Sequence, residues 1–356
     1  MKIRRILAKE ILDSKGGKTV EAEVTLDNKA QGTAAVPSGI SEGAWEAKTV
    51  PAHQAVAQVQ EMISPALIDK DFGPQKELDE ILAYLPCGAN ASLSVSIAFS
   101  RAAKTLVFPK QVKSPKLLML LFEGGEHGSK NLTVQEFMVV VKNFQAGFMA
   151  YQKVKAYLED KNFPTTVGTE GGFSPPQLTD KSALNILKKV LGSKMPLALD
   201  VAADFQKIQP DYLQLTKDYP IVLLEDPYPD SDWQSWVKIN SSLKKEVLIV
   251  GDDLTATSPE RISEAAKRKA VGGVVIKPDQ RKTLTEVLEA VETARKNKLK
   301  IVVSHRGRET NDAFVADLAV AIQADFVKFG APARGERIAK YNRLQELLEG
   351  LTTYSA

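Results

Sequence analysis

The sequence predicts an α/β barrel preceded by a smaller α+β domain. Short apolar, β-like runs recur along the second half of the chain, and each ends in a reactive residue: Leu197–Leu199 in Asp200, Ile221–Leu224 in Glu225, Leu248–Gly251 in Asp252, Val274–Ile276 in Lys277, Val302–Ser304 in His305, and Phe326–Val327 in Lys328. The ends lie 25, 27, 25, 28 and 23 residues apart, about one strand plus one helix per step. All six groups fall at strand carboxyl ends, which a barrel brings to one mouth. A doubly wound open sheet is the alternative, but it would spread them along a crevice.

Each element has its own signal. Residues 1–30 read as a β-meander: Thr19 to Thr25 alternates with period two, and Asp13-Ser14-Lys15-Gly16-Gly17 and Asp27-Asn28 are turn material. Val36-Pro37-Ser38-Gly39-Ile40-Ser41-Glu42-Gly43 is a loop, either a connector or a mobile lid. From about 52 to 108 the periodicity is helical, and the small residues of Ala89–Ala103 predict a closely packed buried helix. Phe108-Pro109 and Ser114-Pro115 mark a boundary near 112, giving an α+β domain over 1–112 and a barrel over 113–356. From 116 onward strands and helices are expected to alternate, beginning with Leu117–Phe122 and Phe137–Val141. Ser258-Pro259-Glu260 is a helix start: a cap, a first-turn proline and an acid at the positive end. Leu284, Val287, Leu288, Val291 and Ala294 form one apolar helix face.

Composition narrows the function classes. The 356 residues are 44% hydrophobic and 26% charged, which is ordinary for a water-soluble core of this size. Cys87 is the sole cysteine, so no disulfide framework exists and a reducing, cytoplasmic setting is expected. The 47 basic and 44 acidic residues leave a net charge of +3, too balanced to require a nucleic-acid partner. No seven-residue apolar segment follows the basic start, so no signal peptide is expected. Leu117–Phe122 is far too short to span a membrane.

Three carboxylates at consecutive strand ends, Asp200, Glu225 and Asp252, repel one another in one mouth. A hard divalent cation relieves that, and oxygen-only ligands point to magnesium over zinc. Asp226 is expected to orient the turn or a neighbouring cation and is not assigned to the metal. Lys277, near a cation and desolvated, becomes a candidate general base. His305, Arg306 and Lys328 add the charge that an anionic substrate needs. Glu136 and Glu170 complete the set. These are the parts for removing a proton beside a carboxylate.

At these residues the chain resembles the enolase family. Val36–Gly43 is similar to the family's first lid loop. Gly124-Gly125-Glu126-His127 with Gln135-Glu136-Phe137-Met138, and Gly168-Thr169-Glu170-Gly171-Gly172-Phe173, are similar to its substrate and catalytic-acid segments. Leu199-Asp200, Leu224-Glu225-Asp226-Pro227 and Gly251-Asp252-Asp253 resemble its metal strands, and Val303-Ser304-His305-Arg306 and Lys328 follow. The resemblance runs from Ile11 to about Glu349. It implies a TIM-like, enolase-type barrel and the reversible dehydration of 2-phosphoglycerate to phosphoenolpyruvate in glycolysis and gluconeogenesis. Asp200, Glu225 and Asp252 would bind the tighter of two magnesium ions, and Ser38 would help to hold the second. Lys277 would be the base, Glu170 supported by Glu136 the acid, and Arg306 the phosphate ligand. Lys328, Gln135, His127 and His305 would contact substrate, and His53 would be a surface residue. A homodimer or higher oligomer is implied as well.

The chain departs from the family at Gly307, Thr169 and Phe329, where Ser, Asp and Thr are usual. Gly307 removes a hydroxyl from the phosphate pocket, although its backbone N–H could still serve. The Asp200-to-Glu225 segment is short. The alternatives are a related acid substrate, with Gly307 and Phe329 reshaping the pocket, or a non-catalytic binding protein. The cation is expected to favour neutral Lys277, and burial beside Glu136 to favour protonated Glu170.

Overall fold

The computed structural model describes residues 1–39, 43–203 and 210–350, so the lid residues Ile40, Ser41 and Glu42 lie outside the described part. Strands β1 (Ile3–Leu12), β2 (Lys18–Leu26) and β3 (Gln31–Ala35) form an antiparallel sheet in the order β1-β2-β3. The period-two segment is β2, with Val20, Ala22 and Val24 buried and the residues between them only partly so. Helices α1 (Ala52–Gln58), α2 (Ser64–Leu67), α3 (Gln75–Tyr84) and α4 (Ala89–Ala103) follow, with a wider turn at Val59–Ile63 joining α1 to α2. Helix α4 spans the segment of small residues, and all of it but Arg101 and Ala103 is buried. His53 is exposed.

The remaining strands close into a barrel in the order β10-β11-β4-β5-β6-β7-β8-β9. They are β4 (Lys116–Glu123), β5 (Glu136–Val141), β6 (Leu197–Asp200), β7 (Ile221–Glu225), β8 (Leu248–Gly251), β9 (Gly273–Ile276), β10 (Lys300–Ser304) and β11 (Phe326–Lys328). Helices α5 (Phe144–Asp160), α6 (Asp180–Leu191), α7 (Tyr212–Asp218), α8 (Trp233–Ser242), α9 (Pro259–Arg268), α10 (Leu284–Lys296), α11 (Phe314–Ala321) and α12 (Gly335–Leu348) complete it. The strands are covered on both faces, so they read as unbroken apolar runs and not as alternation. In β4 only Lys116 is exposed. Ser258 caps α9 through the Arg261 N–H at 3.3 Å, ahead of Pro259 as expected.

One expectation fails. Strand and helix do not alternate from 116: β4 and β5 are joined directly, β5 runs antiparallel to both β4 and β6, and α5 and α6 come together. The connection 124–135 contains no helix to carry the chain back across the barrel, and a parallel pair needs such a crossover. Reversal has a consequence for the site. Glu136 opens β5 and still lies at the mouth, in register with Asp200 at the end of β6.

The first domain is tied to the barrel near that mouth. Arg101 of α4 forms a bidentate pair with Asp312 at 2.7 and 2.8 Å, and Asp312 also accepts the Ala35 N–H. Ser38 and Arg308 exchange backbone hydrogen bonds at 3.1 Å, and the Ala47 N–H donates to Gln280. Among the described residues no helix is long and apolar enough to cross a membrane.

Candidate active site

The mouth holds a cavity whose lining includes Gly39, Glu46, His127, Gln135, Glu136, Glu170, Asp200, Asp252, Lys277, His305, Arg306, Gly307 and Lys328. The loops and strand ends thus bring nearly all the expected residues together. Glu225 is fully buried just beneath, against Lys328. Ser38 is not part of the lining in this structure; its backbone is paired with Arg308.

Lys328 is the centre of the acidic floor. Its Nζ lies 2.7 Å from Glu225, 3.0 Å from Asp200 and 3.3 Å from Glu136. Burial opposes its charge, but Asp200, Glu136 and Glu225 together hold it well above the ordinary lysine range. Burial, and then Asp200, push the Glu225 carboxyl up to about 8 despite that partner. Gln135 donates to Asp200 at 3.4 Å. Asp226 accepts the N–H groups of Asp252 and Asp253 at 2.9 and 2.8 Å, so it shapes the turn as expected.

Three buried oxygens here, Glu225 Oε2, Asp252 Oδ1 and Glu136 Oε2, have no hydrogen-bond partner among the described residues. Buried carboxylate oxygens are rarely left so. Glu225 and Asp252, at the ends of adjacent strands β7 and β8, each offer a free oxygen, and Asp200 at the end of β6 pairs in register with Glu225; such an all-oxygen set fits a hard divalent cation.

Lys277 and Glu170 each face a counter-group. Burial pushes against the Lys277 ammonium, but it is hydrogen-bonded to Asp252, which outweighs burial and holds it above its usual range. Burial likewise resists charge on Glu170, yet His305, His127 and Arg337 hold its carboxyl well below the usual range. Each group faces a counter-group, so burial alone does not decide its state. Glu170 sits 3.4 Å from His127 Nδ1 and 3.2 Å from His305 Nε2. Arg337 Nη1 donates to His305 Nδ1 at 2.6 Å. A guanidinium can only donate, so that nitrogen accepts, the ring is neutral, and its proton lies on Nε2 toward Glu170. Burial, consistently, pushes His305 down to about 4.

Arg306 is already engaged. It meets Glu46 at 2.9 and 3.2 Å and Asp279 at 3.1 Å. Burial, opposed by Arg306, pushes the Asp279 carboxyl up to about 7. Phe329 does not line the cavity; it packs edge-on against Tyr341 at 5.7 Å, so it cannot reshape the pocket directly. Thr169 donates its hydroxyl to Glu123 at 3.0 Å.

Glu46, Asp279, Arg337 and Glu123 were not anticipated. Glu123 carried the same signal as the other strand ends, a reactive residue closing an apolar run, Leu117–Phe122. Arg337 and Glu46 lie on a helix and a loop with no comparable pattern.

Two family models match the chain: "Enolase, N-terminal domain" over residues 3–108, and "Enolase, C-terminal TIM barrel domain" over 112–209 and 204–355. The second match breaks in the short β6–β7 connection. A protein named Enolase from Kineococcus radiotolerans is 36% identical over 406 aligned positions, which cover 98% of this chain and 94% of that protein. With both domains matched along nearly the whole chain, this protein is a member of the enolase family.

Proposed function

We propose that this protein is a magnesium-dependent phosphopyruvate hydratase, a lyase that interconverts 2-phospho-D-glycerate and phosphoenolpyruvate. One observation carries the proposal: a partly buried lysine and a buried glutamate, Lys277 and Glu170, open onto the same cavity as a floor of carboxylates. Lys277 Nζ takes the proton from C2 of the substrate. The C–H electron pair becomes the new C=C bond, and Glu170 gives a proton to the C3 hydroxyl, which leaves as water. Asp200, Glu225 and Asp252 are the residues that would hold magnesium, which when bound supplies positive charge beside the substrate carboxylate. Once Asp252 is engaged elsewhere, burial, Arg306 and Lys328 act together against the Lys277 ammonium, with Asp253 opposing them, which favours the neutral amine that a base requires. For Glu170 to act as an acid it must first be protonated, and an anionic substrate beside it favours that. His305 and His127 orient its carboxyl. Lys328 and Arg306 face the substrate's anionic groups. Ser38 would join a second magnesium only if the lid segment moves toward the mouth. The division of the chain near residue 112 and assembly into a homodimer or higher oligomer belong to the same proposal.

The test is to mix the protein with 2-phosphoglycerate and magnesium and follow enol absorbance in the ultraviolet. A folded protein that yields no phosphoenolpyruvate refutes the proposal. A related 2-hydroxy or 2-phospho acid is favoured by one observation, the engagement of Arg306 by Glu46 and Asp279, which an incoming phosphate must displace. Competitive turnover across a small panel of such acids decides between the substrates.

A further inference from the structure

We propose that Glu123 is a positioning residue that fixes the loop carrying Glu170. It is the last residue of β4 and is completely buried, yet it is not part of the cavity lining. Its carboxylate accepts the Glu170 N–H at 2.8 and 3.1 Å, the Gly172 N–H at 3.0 Å and the Thr169 hydroxyl at 3.0 Å. Its backbone is tied to the same segment: its N–H donates to Phe173, and its carbonyl accepts the Ser174 hydroxyl at 2.8 Å. The loop has been cleared to admit this side chain. A Cβ on Gly168 would lie 2.5 Å from the Glu123 carboxyl carbon, and one on Gly172 would lie 2.9 Å from its Cβ.

Each of these hydrogen bonds is donated to the carboxylate, so the ionised form is fully matched and a neutral amide is not. A buried carboxyl group matched by one loop's donors makes displacement of that loop costly, because the carboxyl oxygens and the N–H groups lose their partners together. The anchored main chain is that of Glu170 itself, whose carboxyl must stay between His127 and His305. Glu123 therefore acts on catalysis through the position of Glu170, and it does not act through Lys277, which follows β9 and shares none of these hydrogen bonds.

This inference rests on the proposed reaction, in which Lys277 and Glu170 serve separate steps. The experiment separates them. Exchange of the C2 hydrogen of 2-phosphoglycerate with heavy water, followed by NMR in the presence of magnesium, reports Lys277; formation of phosphoenolpyruvate reports Glu170 as well. In Glu123→Gln one amide hydrogen-bond donor must face loop N–H donors. Dehydration kcat is expected to fall by about 100-fold, the cost of a misplaced catalytic group, with KM and C2 exchange little changed. Thr169→Val removes one donor and leaves the carboxylate in place, so it should show the same selective loss to a smaller degree and serves if Glu123→Gln does not fold. Equal loss of exchange and dehydration in the folded variant, or loss of neither, overturns the positioning role. A wild-type protein that neither exchanges nor dehydrates overturns the proposed reaction instead.

Discussion

His305 offers a quantitative test of the site's electrostatics. Its ring is buried, accepts from Arg337 at Nδ1 and faces Glu170 at Nε2, an arrangement with no place for a second ring proton. Burial lowers its pKa from 6.5 to about 4. The sign follows directly. As pH falls below 6.5 the unfolded chain binds a proton here and the folded chain does not, so stability is lost through that window down to about 4. At roughly 1.4 kcal/mol per tenfold change in proton affinity, the full loss is about 3 kcal/mol. His305→Asn is the matching perturbation, since its amide can accept from Arg337 and donate toward Glu170 without titrating. Urea unfolding of both proteins across that range at constant ionic strength isolates the residue, because the remaining groups largely cancel in the difference. The stability of wild type relative to the variant should be constant above neutrality and decline by about 3 kcal/mol toward acid. A difference that stays flat, or grows toward acid, would mean that the folded protein holds an imidazolium, and the neutral-ring assignment would be wrong.

Other outcomes follow from the same geometry. Lys277→Ala should keep its fold and lose at least about 100-fold in C2 exchange, as removal of a general base does; retained exchange would rule Lys277 out as the base. Lys328→Met strands Glu136, Asp200 and Glu225 without their shared cation, and a lowered urea midpoint corresponding to about 3–5 kcal/mol is expected. Magnesium should raise the thermal midpoint of the wild type, and a chelator should reverse the effect. A smaller rise in Asp252→Asn supports the ligand assignment, whereas an unchanged rise argues against Asp252. Glu46→Gln should lower KM for a phosphorylated substrate by relieving competition for Arg306; an unchanged KM would show that Glu46 leaves the anion's path by itself.

Much of the site was legible because strand ends are local features. An apolar run followed by Asp, Glu, Lys or His needs no tertiary information to be noticed, and Asp200, Glu225, Lys277, His305 and Lys328 were found in that way. The same rule extended to Leu117–Phe122 points to Glu123. The charge states of Lys277 and Glu170 were not legible, because they depend on which counter-group each side chain meets across the barrel. Asp252 and His305 supply those partners from other strands.

By itself the sequence determined the elements: β2's alternation, α4's run of small residues, the cap at Ser258, and the recurrence of strands of which each delivers one reactive group. These depend on intervals of a few residues, where backbone geometry dictates which side chains share a face. Only the tertiary structure decided that β5 runs backward, so that Glu136 reaches the mouth from the start of its strand, and that Glu46 and Asp279 embrace Arg306. Such facts depend on groups far apart in the chain, and nothing in the spacing of residues along a sequence fixes a direction or a distance across a closed barrel.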